Sequence, residues 1–170
     1  QVEKQFNLGI WLFFLVNFFF QALAEEMIYR GFVMNKLRTK LSLLPAVLLN
    51  SLLFAVIHMF KGGTSVLYIL NVFLTGIFLS LLFALTDNLW LVTALHAAHN
   101  MIYLGVFGVI GAGNNLQHGS FLQTTLSSQA NPFLVGSQSE PISGGGIVVI
   151  VMALAALVTA YLAKKKQVFS

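Results

Sequence analysis

A chain of 170 residues with 58% hydrophobic and only 8% charged side chains lacks the polar surface to coat a globule in water, where about a quarter of residues are ordinarily charged. Its formal charge of +4 is gathered in Lys36, Arg38 and Lys40 and in Lys164, Lys165 and Lys166, at the ends of apolar runs. That placement is a membrane-orientation signal and excludes the basic stripe of a nucleic-acid-binding face. The lack of cysteine removes disulfides, thiolate nucleophiles and thiolate metal sites together.

A bilayer core of about 30 Å needs about 20 apolar residues in a helix, and five runs meet that length loosely. The first starts near Leu8, passes Ala24 and continues helically through Glu25-Glu26-Met27-Ile28-Tyr29-Arg30 to Leu37. Ala22-Leu23-Ala24 resembles a signal-peptide cleavage site. However, the leader Gln1-Val2-Glu3-Lys4 carries no net positive charge, and Asn17 and Gln21 interrupt the apolar run. The segment is therefore expected to remain a span, and a first residue other than Met leaves room for helices upstream.

The second run covers about 43–60, with Pro45 near its first turn, where proline is tolerated. The third covers about 66–85, the fourth about 89–110 and the fifth about 147–163. Links fall at Arg38-Thr39-Lys40, at Lys61-Gly62-Gly63-Thr64 and at a short turn, Asp87-Asn88. Residues 111–146 are rich in Gly, Ser, Asn and Gln without an apolar period, and read as a loop with a re-entrant part around 133–135. The fold class is all-α, a polytopic transmembrane helix bundle of about five spans. With the Lys36/Arg38/Lys40 link in the cytoplasm, the long loop is external and Lys164, Lys165 and Lys166 return to the cytoplasm. Lys61 alone is discordant.

A charge at the bilayer centre costs ~2.5–3.5 kcal/mol or more, so ionisable groups there mark function. Of five acidic residues, Glu25 and Glu26 lie adjacent in the first run; three of four histidines, His58, His96 and His99, lie in the second and fourth; and Arg30 is one of two arginines. Glu26 and Arg30 are i,i+4 and can pair on one helix face. Glu25 is turned about 100° from Glu26 and is left to face a cavity. His96 and Asn100 are also i,i+4, one above the other. Counted from the basic ends at ~1.5 Å per residue, Glu25 lies roughly 15 Å deep, His58 roughly 21 Å, Asn100 roughly 17 Å and His96 roughly 10 Å. These four can meet in one pocket, expected nearer the cytoplasmic half.

A buried glutamate beside a histidine can act as general base toward water. A His and an Asn on one face offer N–H donors to a developing oxyanion. Together these groups suit amide hydrolysis. No serine or threonine stands in register with them, so no covalent acyl-enzyme is expected. The alternative is a zinc site of Glu25, His58 and His96 with an open position. With no HExxH pattern, the metal-free reading is preferred.

These residues carry a family resemblance. Glu25 to Arg30, Phe54 to His58 and His96 to Asn100 resemble the EExxxR, FxxxH and HxxxN motifs of the CPBP family (the CAAX protease and bacteriocin-processing, or Abi, proteins). Each motif is weak alone; three in order on successive membrane helices are specific. The similarity covers about Asn17 to Met101, including Leu89-Trp90-Leu91. It implies an integral-membrane endopeptidase, in bacteria linked to bacteriocin maturation, immunity or surface-protein processing, acting on a peptide or protein, which can be membrane-anchored. It further implies Glu25 and His58 as water activators, His96 and Asn100 as oxyanion hole, and Glu26 with Arg30 as support. His99 stands where the family often has an aromatic.

By that reading, residues 1–110 form the catalytic membrane core, 111–146 a polar loop, and 147–170 a C-terminal transmembrane helix with a basic tail. Plainer roles are assigned to the remaining polar residues. Glu26–Arg30 is a structural ion pair, Phe54 and His99 pack, and Asn71 and Thr75 are interhelical hydrogen-bonding glue. Gly76 with Ser80 and Gly105 with Gly108 are close-packing positions, and His118 is solvated. The second functional reading is a non-proteolytic binding or immunity module using the same cavity. A proton-coupled transporter lacks the expected inverted repeat.

Overall fold

The computed structural model describes residues 6–60, 63–109, 120–122, 124, 126–137, 139–166 and 168. Lys61, His118 and the leader 1–4 lie outside them. Helix α1 (Leu8–Glu26) passes without interruption into a π-helical segment, Met27–Met34, and a short α2, Asn35–Arg38. Then come α3 (Leu43–Met59), α4 (Val66–Thr86), α5 (Leu89–Asn100) with a second π-helical segment Met101–Val106, a short α6 (Pro132–Val135), and α7 (Gly146–Lys165). Outside the helices, backbone pairing among the described residues is limited to isolated bridges. The protein is an all-helical polytopic bundle.

Four of these helices are long and apolar enough to cross a membrane: Leu8–Arg38, Val66–Thr86, Leu89–Val106 and Gly146–Lys165. The fifth expected span, α3, has 17 residues and falls short of that length. Side chains such as Phe13, Phe20, Ile150 and Leu157 point outward and are more than half exposed, as lipid-facing positions are. Within the first span Glu25, Glu26 and Arg30 point inward, since lipid offers them no partner, while Lys36 and Arg38 at its end are exposed.

Local chemistry sets the helix ends. Asn7 accepts from the Ile10 N–H at 3.1 Å and Ser65 from Tyr68 N–H at 3.2 Å, each satisfying one of a helix's orphan donors. Asp87 adopts left-handed φ of 48° and returns its N–H to Phe83 O, after which Asn88 caps α5 through Leu91 N–H at 3.0 Å. Asp and Asn tolerate these conformations, so the expected two-residue turn forms. The fourth helix ends earlier than residue 110: beyond Val106 the chain turns at Gly108 with φ of 56°. Gly108 is thus a turn glycine, not a helix-packing one, because only glycine adopts that φ without cost.

Helix α4 packs most extensively on α3 and α7, and α1 on α5. Because lipid is as apolar as leucine, such contacts rest on close approach and polar pairs. A Cβ on Gly76 would stand 3.0 Å from Ser51 Cα and Cβ, and Asn50 Nδ2 donates to Ser80 Oγ at 3.0 Å.

Met34, Leu43, Val47, Phe83, Val92 and Ala163 form one buried cluster, placing the two basic clusters at the same end of the bundle. Tyr29, Phe54, Ala55 and Val72 form a second cluster. Arg30, bonded to Gly76 O, belongs to the layer between them.

Candidate active site

The adjacent glutamates leave α1 in different directions. Glu26 is fully buried, and its Oε1 accepts from Arg30 Nη1 at 2.8 Å and from His96 Nδ1 at 2.8 Å. Arg30, also fully buried, donates through Nη2 to Gly76 O at 3.1 Å and stacks its guanidinium 4.7 Å over the Phe54 ring. The expected i,i+4 ion pair is present, and it has a second task. It grips the histidine of α5.

Glu25 remains partly open, its side chain 14% exposed. Its Oε2 lies 3.9 Å from His58 Nε2 and 3.9 Å from His96 Nε2, and its Oε1 accepts from Gln21 Nε2 at 3.4 Å. His58 directs Nδ1 at its own helix's Phe54 O, 2.8 Å away. A carbonyl only accepts, so His58 Nδ1 carries a proton and donates to it, leaving Nε2 turned toward Glu25. His96 repeats the pattern, with Nδ1–H donating to the Glu26 carboxylate and Nε2 facing Glu25. Two rings from different helices thus present the same atom to one carboxylate oxygen.

Phe54 organises this arrangement. Its ring lies 4.3 Å from His58, 6.1 Å from His96 and 5.0 Å from Tyr29 between centroids. It is packed, as expected, but it packs against both histidines and under Arg30, so it fixes the rings' orientation.

His58, His96, His99 and Asn100 line a cavity of about 650 Å³. The Asn100 amide makes no hydrogen bond among the described residues and is half-buried on the cavity wall. His99 stacks on Tyr103, rings 6.1 Å apart and nearly parallel. Asn71 and Tyr68 of α4, Tyr103, and Ser143 from the segment before α7 complete the polar wall.

These positions belong to the last turn of α3, the first turns of α4 and the far end of α5. The cavity therefore occupies the half of the bundle opposite the basic clusters, not the basic half expected from counting residues. The counted depths of roughly 15–21 Å for Glu25, His58 and Asn100 are already at or past the midplane of a core of about 30 Å, and only His96, at roughly 10 Å, draws the expectation toward the basic end.

The alternative metal set can be tested on distances. Donors around a tetrahedral zinc at about 2.0–2.1 Å stand roughly 3.3 Å apart. The two Glu25–His separations are 3.9 Å, and among the described residues no three His, Asp or Glu side chains are grouped to hold an ion. The two Glu25–His separations are thus roughly half an ångström wider than a bound zinc ion would set them.

The family described as type II CAAX prenyl endopeptidase, Rce1-like, matches residues 7–102, more than half of the chain and all three motif-bearing helices. The chain belongs to this endopeptidase family. Neither the curated proteins nor the solved structures gave a match. Membership and four apolar spans together make it an integral membrane protein of the CAAX-protease type.

Proposed function

We propose that this member is an intramembrane endopeptidase in which Glu25 and His58 activate water while His96 and Asn100 receive the developing oxyanion. The observation that supports it most directly is the convergence of His58 Nε2 and His96 Nε2 on Glu25 Oε2, each at 3.9 Å. In this scheme the water oxygen bonds to the scissile carbonyl carbon and its proton passes to Glu25. The C–N bond then breaks, and the same proton is returned to the leaving nitrogen. His58, whose Nε2 can accept from the same water, orients the water toward Glu25.

The tautomers refine the oxyanion role. Because Nδ1–H of His96 is committed to Glu26, Nε2 donates only when the ring carries its second proton. Asn100 Nδ2 needs no such condition. Glu26 is accordingly a positioning residue for His96, and Arg30 holds Glu26. No metal is required in this scheme. By the positive-inside bias we place the basic end in the cytoplasm, which puts the cavity in the outer half of the bilayer. A bacterial cell membrane is the setting this reading fits.

The test compares peptides of the membrane and secreted fractions between cells carrying the natural chain and Glu25→Gln. Loss of specific cleavage products is expected, with the protein still inserted at its normal level. Unchanged processing by Glu25→Gln would overturn the scheme.

A further inference from the structure

Residues 139–145 form a strap at the edge of the cavity, which Ser143 lines, and two cavity-wall side chains hold its main chain. Tyr103 Oη donates to Pro141 O and accepts from Ser143 N–H at 3.3 Å, while Asn71 Nδ2 donates to Ser143 O at 3.1 Å. Three backbone groups of one short stretch are therefore read by side chains that line the same cavity as His58, His96 and Asn100. Such contacts recognise a peptide whatever its side chains, because every peptide offers the same N–H and C=O groups.

One acceptor is left over. Asn71 is 7% exposed, its Nδ2 is fixed as donor by the Ser143 carbonyl, and its Oδ1 has no hydrogen-bond partner. A buried, unmet carbonyl of this kind is costly. The strap cannot supply the missing N–H because its next donors fold back on themselves: Gly144 N–H bonds Glu140 O at 3.1 Å and Gly145 N–H bonds Ile142 O at 2.8 Å. An extended peptide has that N–H to give.

The strap is held from outside the cavity and is strained within. Glu140, 3% exposed, accepts from Thr64 N–H at 2.6 Å and Ser65 N–H at 3.1 Å at the start of α4, where a carboxylate is favoured. Ile142 adopts φ of 62°, a left-handed conformation unfavourable for a β-branched residue.

We propose that Asn71 and Tyr103 form a main-chain recognition site for the peptide substrate, filled in this structure by residues 141–143 and vacated when substrate displaces them. This rests on the peptidase reading above for its ligand class, but its test needs no cleavage. Since the chain has no cysteine, Ser143→Cys supplies a sole thiol on the strap, and Thr75→Cys a second reporter on the wall should the first fail to insert. Full-length protein in nanodiscs, in the Glu25→Gln background, is labelled with a maleimide. In parallel, anisotropy follows binding of a fluorescent, acetylated Ser-Glu-Pro-Ile-Ser-Gly-Gly amide, the sequence of the strap itself.

Glu140→Gln removes a charge-assisted anchor and is expected to speed labelling by about ten- to a hundredfold. It should tighten peptide binding in proportion, because affinity scales with the fraction of vacated sites. Ile142→Gly relieves the left-handed strain and should slow labelling by about 5–30-fold. Adding Asn71→Leu to Glu140→Gln should weaken the peptide at least tenfold. Faster labelling of Glu140→Gln with no gain in peptide affinity, or peptide binding indifferent to Asn71→Leu, would overturn the proposal. A peptide response alongside unchanged processing in Glu25→Gln cells would instead keep this site and sink the hydrolytic scheme.

Discussion

Glu26→Gln is the perturbation whose consequence the structure fixes most closely. The substitution keeps the shape and removes the charge that balances a fully buried guanidinium, since Glu26 and Arg30 are both 0% exposed. Breaking one side of a buried pair costs about 3–5 kcal/mol, mostly the penalty of the charge left behind. Arg30 retains Gly76 O at 3.1 Å and the face of Phe54, so the lower end applies, about 3 kcal/mol, or roughly two decades in the folding equilibrium. Arg30→Met should cost a similar amount, because the buried carboxylate loses its countercharge and keeps only His96 Nδ1–H. The double variant Glu26→Gln/Arg30→Met should recover most of the loss, because replacing a whole buried pair by apolar volume is often near neutral. Equilibrium unfolding in mixed micelles with increasing SDS, run on all four proteins as a double-mutant cycle, measures this. A coupling energy of at least ~2 kcal/mol is expected. Glu26→Gln within ~0.5 kcal/mol of the parent, or two losses that simply add, would refute the claim that the pair is mutually dependent. The double variant should still process peptide poorly, since His96 has lost its carboxylate.

Other expectations follow from separate contacts. His58→Ala should lower processing by about 10²–10⁴-fold, and its SDS midpoint should stay near the parent's; a full-rate variant would remove His58 from the water-activating pair. Gly76→Ala drives a Cβ to 3.0 Å from Ser51 Cα and Cβ, and the same titration should show a loss of about 1–3 kcal/mol. Adding Ser51→Gly should restore part of it, and no restoration would place the clash elsewhere. Processing by the purified protein is expected to persist in EDTA and in 1,10-phenanthroline, and inhibition reversed by added zinc would overturn the metal-free scheme.

Which ionisable groups come together was more legible in the sequence than how they are wired. The cost of charge in lipid singled out Glu25, Glu26, Arg30, His58 and His96, and the 3.6-residue period paired Glu26 with Arg30. Nothing in that period could show that Glu26 also holds His96, 70 positions later. That contact depends on how α1 packs against α5. Phe54 read as packing because an aromatic in an apolar helix carries no signal of what it packs against.

Asn71, taken for interhelical glue, bonds the strap. Glu140 went unremarked although it is one of only five acids. Its signal was available: a lone carboxylate in an uncharged polar segment needs a partner, and the N-terminus of α4 supplies one. Helix existence was legible throughout, with ends accurate at Asp87-Asn88, where turn chemistry is explicit. The fourth helix was drawn too long because Gly108 looks like any small residue until its φ is known.

The shortness of α3 bears on how a hydrolase obtains water inside a membrane. Seventeen helical residues reach about 26 Å, a few ångströms less than a hydrocarbon core of about 30 Å. Such hydrophobic mismatch is relieved by local thinning of the bilayer or by drawing the flanking residues toward the headgroups. His58 lies in the last turn of α3, so such thinning would fall beside the proposed water-activating pair. On the proposed scheme, a span too short to be a good anchor would bring the aqueous boundary inward beside the glutamate and histidines that are to activate water.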